Sequence, residues 1–436
     1  MVTIRARGVH DGASNPIADR PNRPRPMSAE LSLLSYPSVR LMREAARRRL
    51  PQPIFDFADG GAEDETTLRR NEDAFRHWRF LPRPLEGAGS RDQTVALFGK
   101  TLASPVLIGP TGLAGMFWPR GEIAAARAAA AAGTAYCLSH GSVCSIEEVA
   151  ASHQGQRWMQ VFIYRDRAFT RELTQRARDA GYGALVLTID NQLLGKRERD
   201  FANGFSIPPR FSGRQWLLMA SKWRWAWSMR NELRSLTFGN YVRPGSGESL
   251  ATLAGRMGSL LDPAMNWDDV AQLRAQWPGP LLLKGVLHPA DARRALAMGV
   301  DGLIVSNHGG RQLDGASSAL EALPAIVAAV EDRIPLLLDG GIRRGADVVK
   351  ALALGARAVL IARPQLWGLS VAGEAGVAHV LAIYRSEIDR VMGLLGATSI
   401  DALRRSQVVV PAPIMMDRLH DGAARPAPCS CINLEK

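Results

Sequence analysis

Short, continuous apolar runs recur along the chain, and each is four to eight residues long. A run in which all residues are apolar, rather than every second one, is typical of a strand buried on both faces. Eight runs have this character: Pro105–Pro110, Thr134–His140, Arg157–Tyr164, Ala184–Asp190, Pro280–Val286, Asp301–Asn307, Pro335–Gly341 and Ala358–Pro364. The pattern therefore predicts eight buried strands.

Most segments between these runs are rich in alanine and amphipathic, which predicts helices. The clearest are Glu122–Ala132, Ala168–Ala180, Ala290–Met298 and Ala346–Leu354, which are followed by Gly133, Gly181, Gly299 and Gly355. A glycine in that place is typical of a helix C-terminus. Eight strand–helix units predict a closed (β/α)8 TIM barrel of the α/β class. An open doubly wound sheet is the alternative, and the number of strands does not exclude it.

Polar residues cluster at the C-terminal ends of the runs, and this favours the barrel. They are His140, Gln160, Tyr164, Thr188, Asp190, Lys284, Asn307, His308 and Asp339. Barrel enzymes build their active sites at that end of the strands. We therefore expect an active site there.

The regular spacing breaks once, since about 90 residues separate Asp190 from Pro280. This predicts a long insertion after strand 4, over 201–265, of the kind that is usually functional or mobile. Residues 1–29 hold few large apolar residues and 411–436 are rich in proline, so we expect both to be flexible tails. The barrel domain, with an N-terminal helical extension, is predicted to occupy 30–410.

Composition narrows the class of protein. Hydrophobic residues make up 46% of the chain and charged residues 22%, which excludes a mostly disordered protein. The apolar runs are shorter than the ~20 residues that cross a bilayer, and no secretory signal is visible, so a cytoplasmic protein is expected. Four cysteines without a paired C-x-x-C pattern predict no metal site and no disulfide scaffold.

The net charge of +12 favours anionic partners. Nucleic acid is not expected among them, because the basic residues are spread over the chain and no nucleic-acid motif is present.

The densest group of chemically useful residues, 306–314, directly follows strand 6. His308 has the side chain best suited to accept a proton near neutral pH. Arg311 offers a planar fork for a carboxylate. An ordinary loop with a surface histidine is the alternative. The position at a strand end, beside Gly309 and Gly310, favours a site.

Two further segments, 339–345 and 362–364, end strands 7 and 8 and contain glycines or arginines. Barrels often bind phosphate with these loops, through backbone N–H groups and cationic side chains. A phosphate-bearing ligand is one interpretation and a plain glycine-rich turn is the other. Lys284, inside an apolar run, must either point into the barrel mouth or bear the free-energy cost of burial. In the mouth it could stabilise an anion or form a Schiff base.

Together these motifs resemble the FMN-dependent L-2-hydroxy-acid dehydrogenase/oxidase family, which includes glycolate oxidase, L-lactate dehydrogenase and mandelate dehydrogenase. The specific segments are SNHGGRQLD at 306–314 and LDGGIRRGADVVKALALGA at 338–356. GGAEDETTLRRN at 60–71, PTGLAG at 110–115 and QVFIYRDR at 160–167 support them. The resemblance extends from about Leu31 to about Val409. It implies an FMN-binding barrel that oxidises an L-2-hydroxy acid to the 2-oxo acid.

The resemblance also implies roles. His308 resembles the base that removes the α-hydroxyl proton, and Asp190 the carboxylate that pairs with the imidazolium. Arg311 and Arg197 resemble the groups that grip the substrate carboxylate, and Lys284 the cation beside the flavin. The remaining flavin positions are matched by Thr111, Gly112, Ser139, Gln160, Thr188, Ser306, Asp339, Gly340, Gly341, Arg343, Ala362 and Arg363.

The chain departs from the family pattern at the substrate positions. Many members carry tyrosines where this chain has Phe57 and Phe162, so both hydroxyls are missing. A hydrogen bond to a charged partner is worth roughly 1.5–3 kcal/mol, which makes glycolate or lactate poorer candidates. Gly141 stands where some relatives carry a bulky residue, and Ala362 where a glycine is common. These departures favour a bulky or aromatic, mandelate-like substrate. The alternative is an FMN-dependent oxidase that modifies a non-standard carboxylate in a biosynthetic pathway.

The partners that follow are a small 2-hydroxy acid and a quinone, a cytochrome or oxygen as electron acceptor. The resemblance implies a homo-oligomer, a tetramer by family pattern. Residues 201–231 contain no Asp or Glu, but they mix arginines with Trp216, Trp223, Trp225 and Trp227. Such a segment, chiefly 210–230, is typical of contact with an anionic membrane surface. It predicts a peripheral protein on the inner face of the cell membrane, and packing on a neighbouring subunit is the alternative.

Overall fold

The computed structural model describes residues 33–204, 213, 221–232, 237–241, 260–403 and the backbone of 410–411. The predicted tail 1–29, the predicted tail beyond residue 411 and most of the predicted insertion lie outside these residues. Trp216 and the arginines at 210 and 214 also lie outside them.

Eight parallel strands close into a barrel, in the order 7-8-1-2-3-4-5-6. They are β1 (Val106–Ile108), β2 (Tyr136–Leu138), β3 (Arg157–Val161), β4 (Ala184–Thr188), β5 (Leu281–Val286), β6 (Gly302–Val305), β7 (Leu336–Asp339) and β8 (Ala358–Ile361). The predicted TIM barrel is confirmed, and the open sheet is excluded because β7 pairs with both β6 and β8 around a closed ring.

A helix follows each strand. These helices are Gly121–Ala131, Ile146–Ala151, Arg167–Asp179, Trp267–Gln276, Pro289–Ala297, Ala319–Val330, Gly345–Ala353 and Arg363–Leu395. The four predicted capping glycines, Gly133, Gly181, Gly299 and Gly355, all have positive φ. Three helices, Val39–Arg49, Gln52–Asp59 and Thr66–His77, form the predicted N-terminal extension. Two further helices follow β4: Glu198–Ala202, which leads into the insertion, and Trp223–Met229 within it.

Every second side chain of a strand faces the barrel interior. These side chains are apolar toward the N-terminal end of the barrel and polar at its C-terminal end. Leu282, Leu337 and Ile304 belong to an interior cluster, which the hairpin of Val95–Leu97 and Lys100–Leu102 covers at the N-terminal end. Side chains two residues apart share one face of a strand. Positions two residues later therefore face the same interior at its C-terminal mouth: Ser139, Gln160, Thr188, Lys284, Ser306 and Asp339.

The helix Arg363–Leu395 is long and apolar enough to cross a membrane by length and composition, which the sequence interpretation did not anticipate. Most of its apolar stretch is buried inside the protein. Val377, Val380 and Tyr384 are fully enclosed. Burial of this kind is typical of a core helix, and the helix changes direction at Ala372 and Gly373, where the backbone is not helical.

Candidate active site

The loop after β6 presents His308 in a strained backbone conformation. His308 has φ of 58°, and Gly309 and Gly310 follow with φ of 64° and 72°. A non-glycine residue in the left-handed region is uncommon and costs free energy, so the surrounding contacts must hold His308 in place. The His308 N–H donates to Ser306 Oγ at 3.0 Å. A second anchor is Asn307, whose side-chain amide exchanges two 2.8 Å hydrogen bonds with that of Asn71.

His308 forms a pair with Asp190 across the mouth, with Nδ1 2.9 Å from Asp190 Oδ1. Burial lowers the pKa of His308, and Asp190 opposes that effect without reversing it. Burial would raise the pKa of Asp190, but His308 and Lys284 lower it overall. A neutral imidazole that already bonds a carboxylate through Nδ1 has Nε2 available as a proton acceptor.

Lys284 is only 4% exposed and carries its charge at the centre of the mouth. Its Nζ lies 2.9 Å from Asp339 Oδ2 and donates to Ser306 Oγ at 2.9 Å. Burial would lower the pKa of Lys284, but Asp339 and Asp190 raise it overall. The strand is irregular just after this lysine, at Gly285, where a Cβ would lie 2.7 Å from the Asp190 side chain. Only glycine leaves room there for the carboxylate that serves His308.

Arg311 and Arg197 approach the same region of the mouth. Arg311 Nη1 donates to the carbonyl oxygens of Phe57 and Gly60 at 2.7 and 3.0 Å, and its guanidinium lies 5.3 Å from the Phe57 ring centre. Arg197 reaches Gln312 at 3.5 Å, and its buried Nε has no partner. Within the described ranges, no ion pair closer than 4.0 Å involves either arginine.

The charges of these arginines are mutually unfavourable. Burial, then Arg197 and Arg363, lower the pKa of Arg311 well below its ordinary value, and the charge of Asp200 opposes them. Burial also lowers the pKa of Arg197, which Asp200 partly opposes. The charge of Arg197 lowers the pKa of His308, which is the effect of a cation near this imidazole. An added anion would relieve the repulsion, and a carboxylate suits two guanidinium groups.

The expected flavin positions line the same mouth. Ser139 Oγ and Gln160 Oε1 are 3.4 Å apart, and Thr188 aligns with Lys284 across the β4–β5 pair. Thr111 Oγ1 accepts from Gln365 at 2.8 Å. A Cβ at Gly112 would lie 3.4 Å from the carbonyl oxygen of Gly141, so the two glycines face each other closely. Asp339 Oδ1 and Asp190 Oδ2 are buried without partners among the described residues.

The arginines after β7 and β8 differ in their partners. Arg343 Nη2 pairs with Glu72 Oε1 at 2.8 Å. Arg363 instead donates to three carbonyl oxygens, those of Ala58, Gly309 and Gly60, at 2.8–3.0 Å. Burial, then Arg343, lower the pKa of Arg363 to about 10. Gly340 and Gly341, next to Arg343, have φ of 99° and 78°, and Ala362 precedes Arg363.

The sequence interpretation missed one group of polar residues. His140 Nδ1 lies 2.7 Å from the Tyr164 hydroxyl and also contacts the Tyr241 hydroxyl, while the two hydroxyls are 2.6 Å apart. His140 and Tyr164 were visible as polar residues after β2 and β3. Tyr241 comes from the insertion, and no motif marks it. Phe162 lies against this group, with its ring 4.2 Å from that of His140.

In the insertion, the helix Trp223–Met229 has two unlike sides. Trp225 is 2% exposed, and its indole N–H donates to the carbonyl of Met116 at 3.3 Å. Trp223 and Trp227 are 64% and 66% exposed. Arg224 and Arg230 lie over their rings, 5.3 and 4.4 Å from the ring centres. The observed helix therefore places two tryptophans and two cations at the surface.

Comparison with known proteins gives a consistent result. The family model described as FMN-dependent dehydrogenase matches residues 46–410. An L-lactate dehydrogenase of Caulobacter sp. (strain K31) is 44% identical over 366 residues, which is 84% of this chain and 96% of that protein. A crystal structure of the monotopic membrane protein (S)-mandelate dehydrogenase is 40% identical with a TM-score of 0.82, over 86% of this chain and 99% of that one. A mandelate oxidase structure is 38% identical with a TM-score of 0.74, over 85% and 97%.

Proposed function

Because the chain belongs to the FMN-dependent 2-hydroxy-acid dehydrogenase family, we propose that its substrate is a bulky or aromatic L-2-hydroxy acid, mandelate-like, which it converts to the 2-oxo acid. One observation carries this proposal. Two partly buried arginines, Arg311 and Arg197, form no ion pair with a carboxylate of the described residues and lie beside a histidine that is paired with an aspartate. That combination offers a cationic clamp for a carboxylate and a base for the neighbouring hydroxyl.

In this proposal the side chains divide the work. Arg311 and Arg197 hold the substrate carboxylate, which places the α-carbon at a fixed distance from His308. Neutral His308 accepts the hydroxyl proton at Nε2, and Asp190 stabilises the imidazolium that forms. The low pKa of His308 keeps it in the neutral, proton-accepting form before substrate binds.

FMN is the cofactor of this family, and when bound it accepts the two electrons and the α-hydrogen. The residues present fit it. Arg363, buried and without a carboxylate partner among the described residues, and the left-handed glycines Gly340 and Gly341 would hold the phosphate. Lys284 would lie beside the ring system and compensate negative charge there. Ser139, Gln160, Thr188 and Ser306 would offer polar groups to the ring edge.

The preference for a bulky side chain follows from three residues. Phe57 packs against Arg311, and Phe162 packs against His140, so neither position offers a hydroxyl to a small polar substrate. Gly141 leaves space at the strand end. Apolar aromatic walls favour an aromatic substrate, because apolar surface is removed from water.

The test is anaerobic mixing of the FMN-loaded protein with glycolate, L-lactate, (S)-mandelate and (R)-mandelate, followed by the loss of oxidised-flavin absorbance. We expect the fastest loss with (S)-mandelate and none with (R)-mandelate. Mandelamide is the matched control, since it lacks the carboxylate that the arginines are proposed to hold. A faster reaction with glycolate than with (S)-mandelate would overturn the proposed substrate class.

A second proposal, also ours, is peripheral binding to an anionic membrane surface through the helix Trp223–Met229. Its support is the exposure of Trp223 and Trp227 beside Arg224 and Arg230. Rings at the headgroup level with cations for anionic lipid are typical of interfacial helices. The (S)-mandelate dehydrogenase of similar structure is described as a monotopic membrane protein. Contact with a membrane would favour a quinone as electron acceptor.

Flotation with anionic liposomes at low and high salt tests membrane binding. The variant Trp223→Ser/Trp227→Ser should lose most of the floating fraction. Leu34→Ser/Leu85→Ser is the control, because both leucines are exposed apolar residues in the extension and its following loop. Equal flotation of both variants would show that this helix does not contribute to membrane binding.

A further inference from the structure

The group formed by His140, Tyr164 and Tyr241 is a closed set of three hydrogen-bonding side chains. Each hydroxyl contacts His140 Nδ1, and the hydroxyls contact each other. His140 and Tyr164 are 5% and 1% exposed. Asn240, next to Tyr241, donates to the carbonyl oxygen of His140 at 3.1 Å, which fixes the insertion to the end of β2.

This arrangement favours one tautomer of His140. Two hydroxyls bring two protons. If Nδ1 is unprotonated, one phenol proton forms the hydrogen bond between the two hydroxyls, and the other phenol proton is donated to Nδ1. If Nδ1 carries a proton and donates it, one phenol proton has no acceptor among the described residues, and a buried unmet donor costs about 1–3 kcal/mol. The proton of neutral His140 therefore belongs on Nε2.

The imidazole also stays neutral. Burial, then the charge of His308, lower the pKa of His140 to about 3. The His140 N–H donates to Gln160 Oε1 at 3.3 Å, and Gln160 lines the mouth of the barrel. His140 thus belongs to the same mouth as the proposed base.

The remaining nitrogen of the ring is Nε2. No hydrogen bond within the described ranges uses Nε2 of His140. The ring lies 4.2 Å from that of Phe162, the position where a tyrosine hydroxyl is missing. Its neighbours in the chain, Ser139 and Gly141, are both residues of the proposed site.

We propose that His140 is a substrate-binding residue whose Nε2–H donates a hydrogen bond to the reacting oxygen of the 2-hydroxy acid, in place of the hydroxyl that Phe162 lacks. The inference rests on the proposed function and adds a second histidine to it. A neutral donor aimed at that oxygen stabilises the negative charge that grows there as His308 removes the proton. It does so without adding a cation beside the base, which would lower the basicity of His308.

The tautomer is tested without substrate, by nitrogen-15 NMR of histidine-labelled FMN holoenzyme. We expect His140 to show a protonated Nε2 and an unprotonated Nδ1, unchanged from about pH 5 to about pH 8, where an ordinary histidine titrates. Tyr164→Phe and Tyr241→Phe should each weaken that preference. A protonated Nδ1 in the wild-type protein would overturn the proposal.

The contact with the reacting oxygen is tested by binding two non-reacting acids, followed by the shift of the flavin spectrum. Benzoylformate has an oxygen at the reacting position, and phenylacetate lacks it. His140→Leu should weaken benzoylformate binding by about 3- to 10-fold and leave phenylacetate binding unchanged. His140→Gln, which keeps an N–H donor, should lose less, and Phe162→Tyr should restore benzoylformate binding in the His140→Leu background.

The possible failures are distinct. Equal weakening of both acids in His140→Leu would show a structural role and overturn the proposal alone. A wild-type protein that binds neither acid would overturn the proposed function and the role of His140 with it. An equal effect of Phe162→Tyr on benzoylformate binding with and without His140 would also count against the proposal. The two positions would then act independently and not on the same oxygen.

Discussion

Each of two sides of the barrel mouth contains a histidine, and the two histidines have different hydrogen-bond partners. The charged side, formed by Asp190, Lys284, His308 and Asp339, lies at the ends of β4 to β7. The phenol side, formed by His140, Tyr164 and Tyr241, joins the ends of β2 and β3 to the insertion. His308 bonds a carboxylate and His140 bonds two hydroxyls.

The difference shows that the partner of Nδ1 decides what a histidine does. Asp190 stabilises a proton on His308, so this imidazole can accept a second proton at Nε2. The phenols of Tyr164 and Tyr241 carry no charge to offset an imidazolium, and burial lowers the pKa of His140 to about 3. One imidazole is therefore suited to be a base and the other to be a neutral donor.

The largest expected effect comes from removing the proposed base, His308, on the charged side. His308→Ala should slow flavin reduction by (S)-mandelate about 10²–10⁴-fold, because general base catalysis is lost, while FMN content stays unchanged. Anaerobic stopped-flow absorbance measures the rate. His77→Ala, at an exposed histidine, is the control. A His308→Ala protein that reacts at the wild-type rate would mean that the base is elsewhere.

Arg311→Lys tests the clamp next to that base. An ammonium cannot reproduce the planar fork, and loss of a charged hydrogen bond of about 1.5–3 kcal/mol corresponds to a decrease of roughly 10- to 150-fold in kcat/KM. Arg171→Lys, on the exposed side of a barrel helix, serves as the matched variant. Similar kinetics for the two variants would show that Arg311 does not bind the substrate carboxylate.

The pH dependence separates the two histidines. Burial, with Lys284 and Arg197, holds the pKa of His308 below its usual 6.5 despite Asp190. The neutral form is the active one, so kcat/KM should stay level down to pH values below 6.5. It should then fall about tenfold per pH unit. His140→Gln should keep the same profile, because His140 does not titrate in that range. A fall that begins above pH 6.5 would contradict the assignment of His308.

The smallest effect is expected from restoring hydroxyls. Phe162→Tyr and Phe57→Tyr should raise kcat/KM for L-lactate relative to (S)-mandelate by about 3- to 10-fold, the worth of one ordinary hydrogen bond. Steady-state kinetics with both acids gives the ratio. An unchanged ratio in the double variant would show that the missing hydroxyls do not determine the preference for substrate size.

Sequence reasoning predicted the charged side better than the phenol side. Lys284, Asp339 and Ser306 each lie two residues after an interior-facing apolar residue of a strand, so they share its face. The barrel pattern alone therefore places all three at one mouth. Tyr241 has no such pattern, since it lies 101 residues from His140 in the chain and is positioned by tertiary contacts of the insertion. The bulge at Gly285 and the Asn71–Asn307 amide pair were also not foreseen, because both depend on packing between distant elements.

The most direct test of the central claim is a single anaerobic turnover with (S)-mandelate, in which the oxidised flavin lost and the 2-oxo acid formed are both quantified. We predict one equivalent of benzoylformate for each FMN reduced, and slower reduction when the α-hydrogen of the substrate is replaced by deuterium. FMN that stays oxidised with every 2-hydroxy acid, in a protein that retains its flavin, would contradict the assignment of Arg311, Arg197 and His308 to this chemistry.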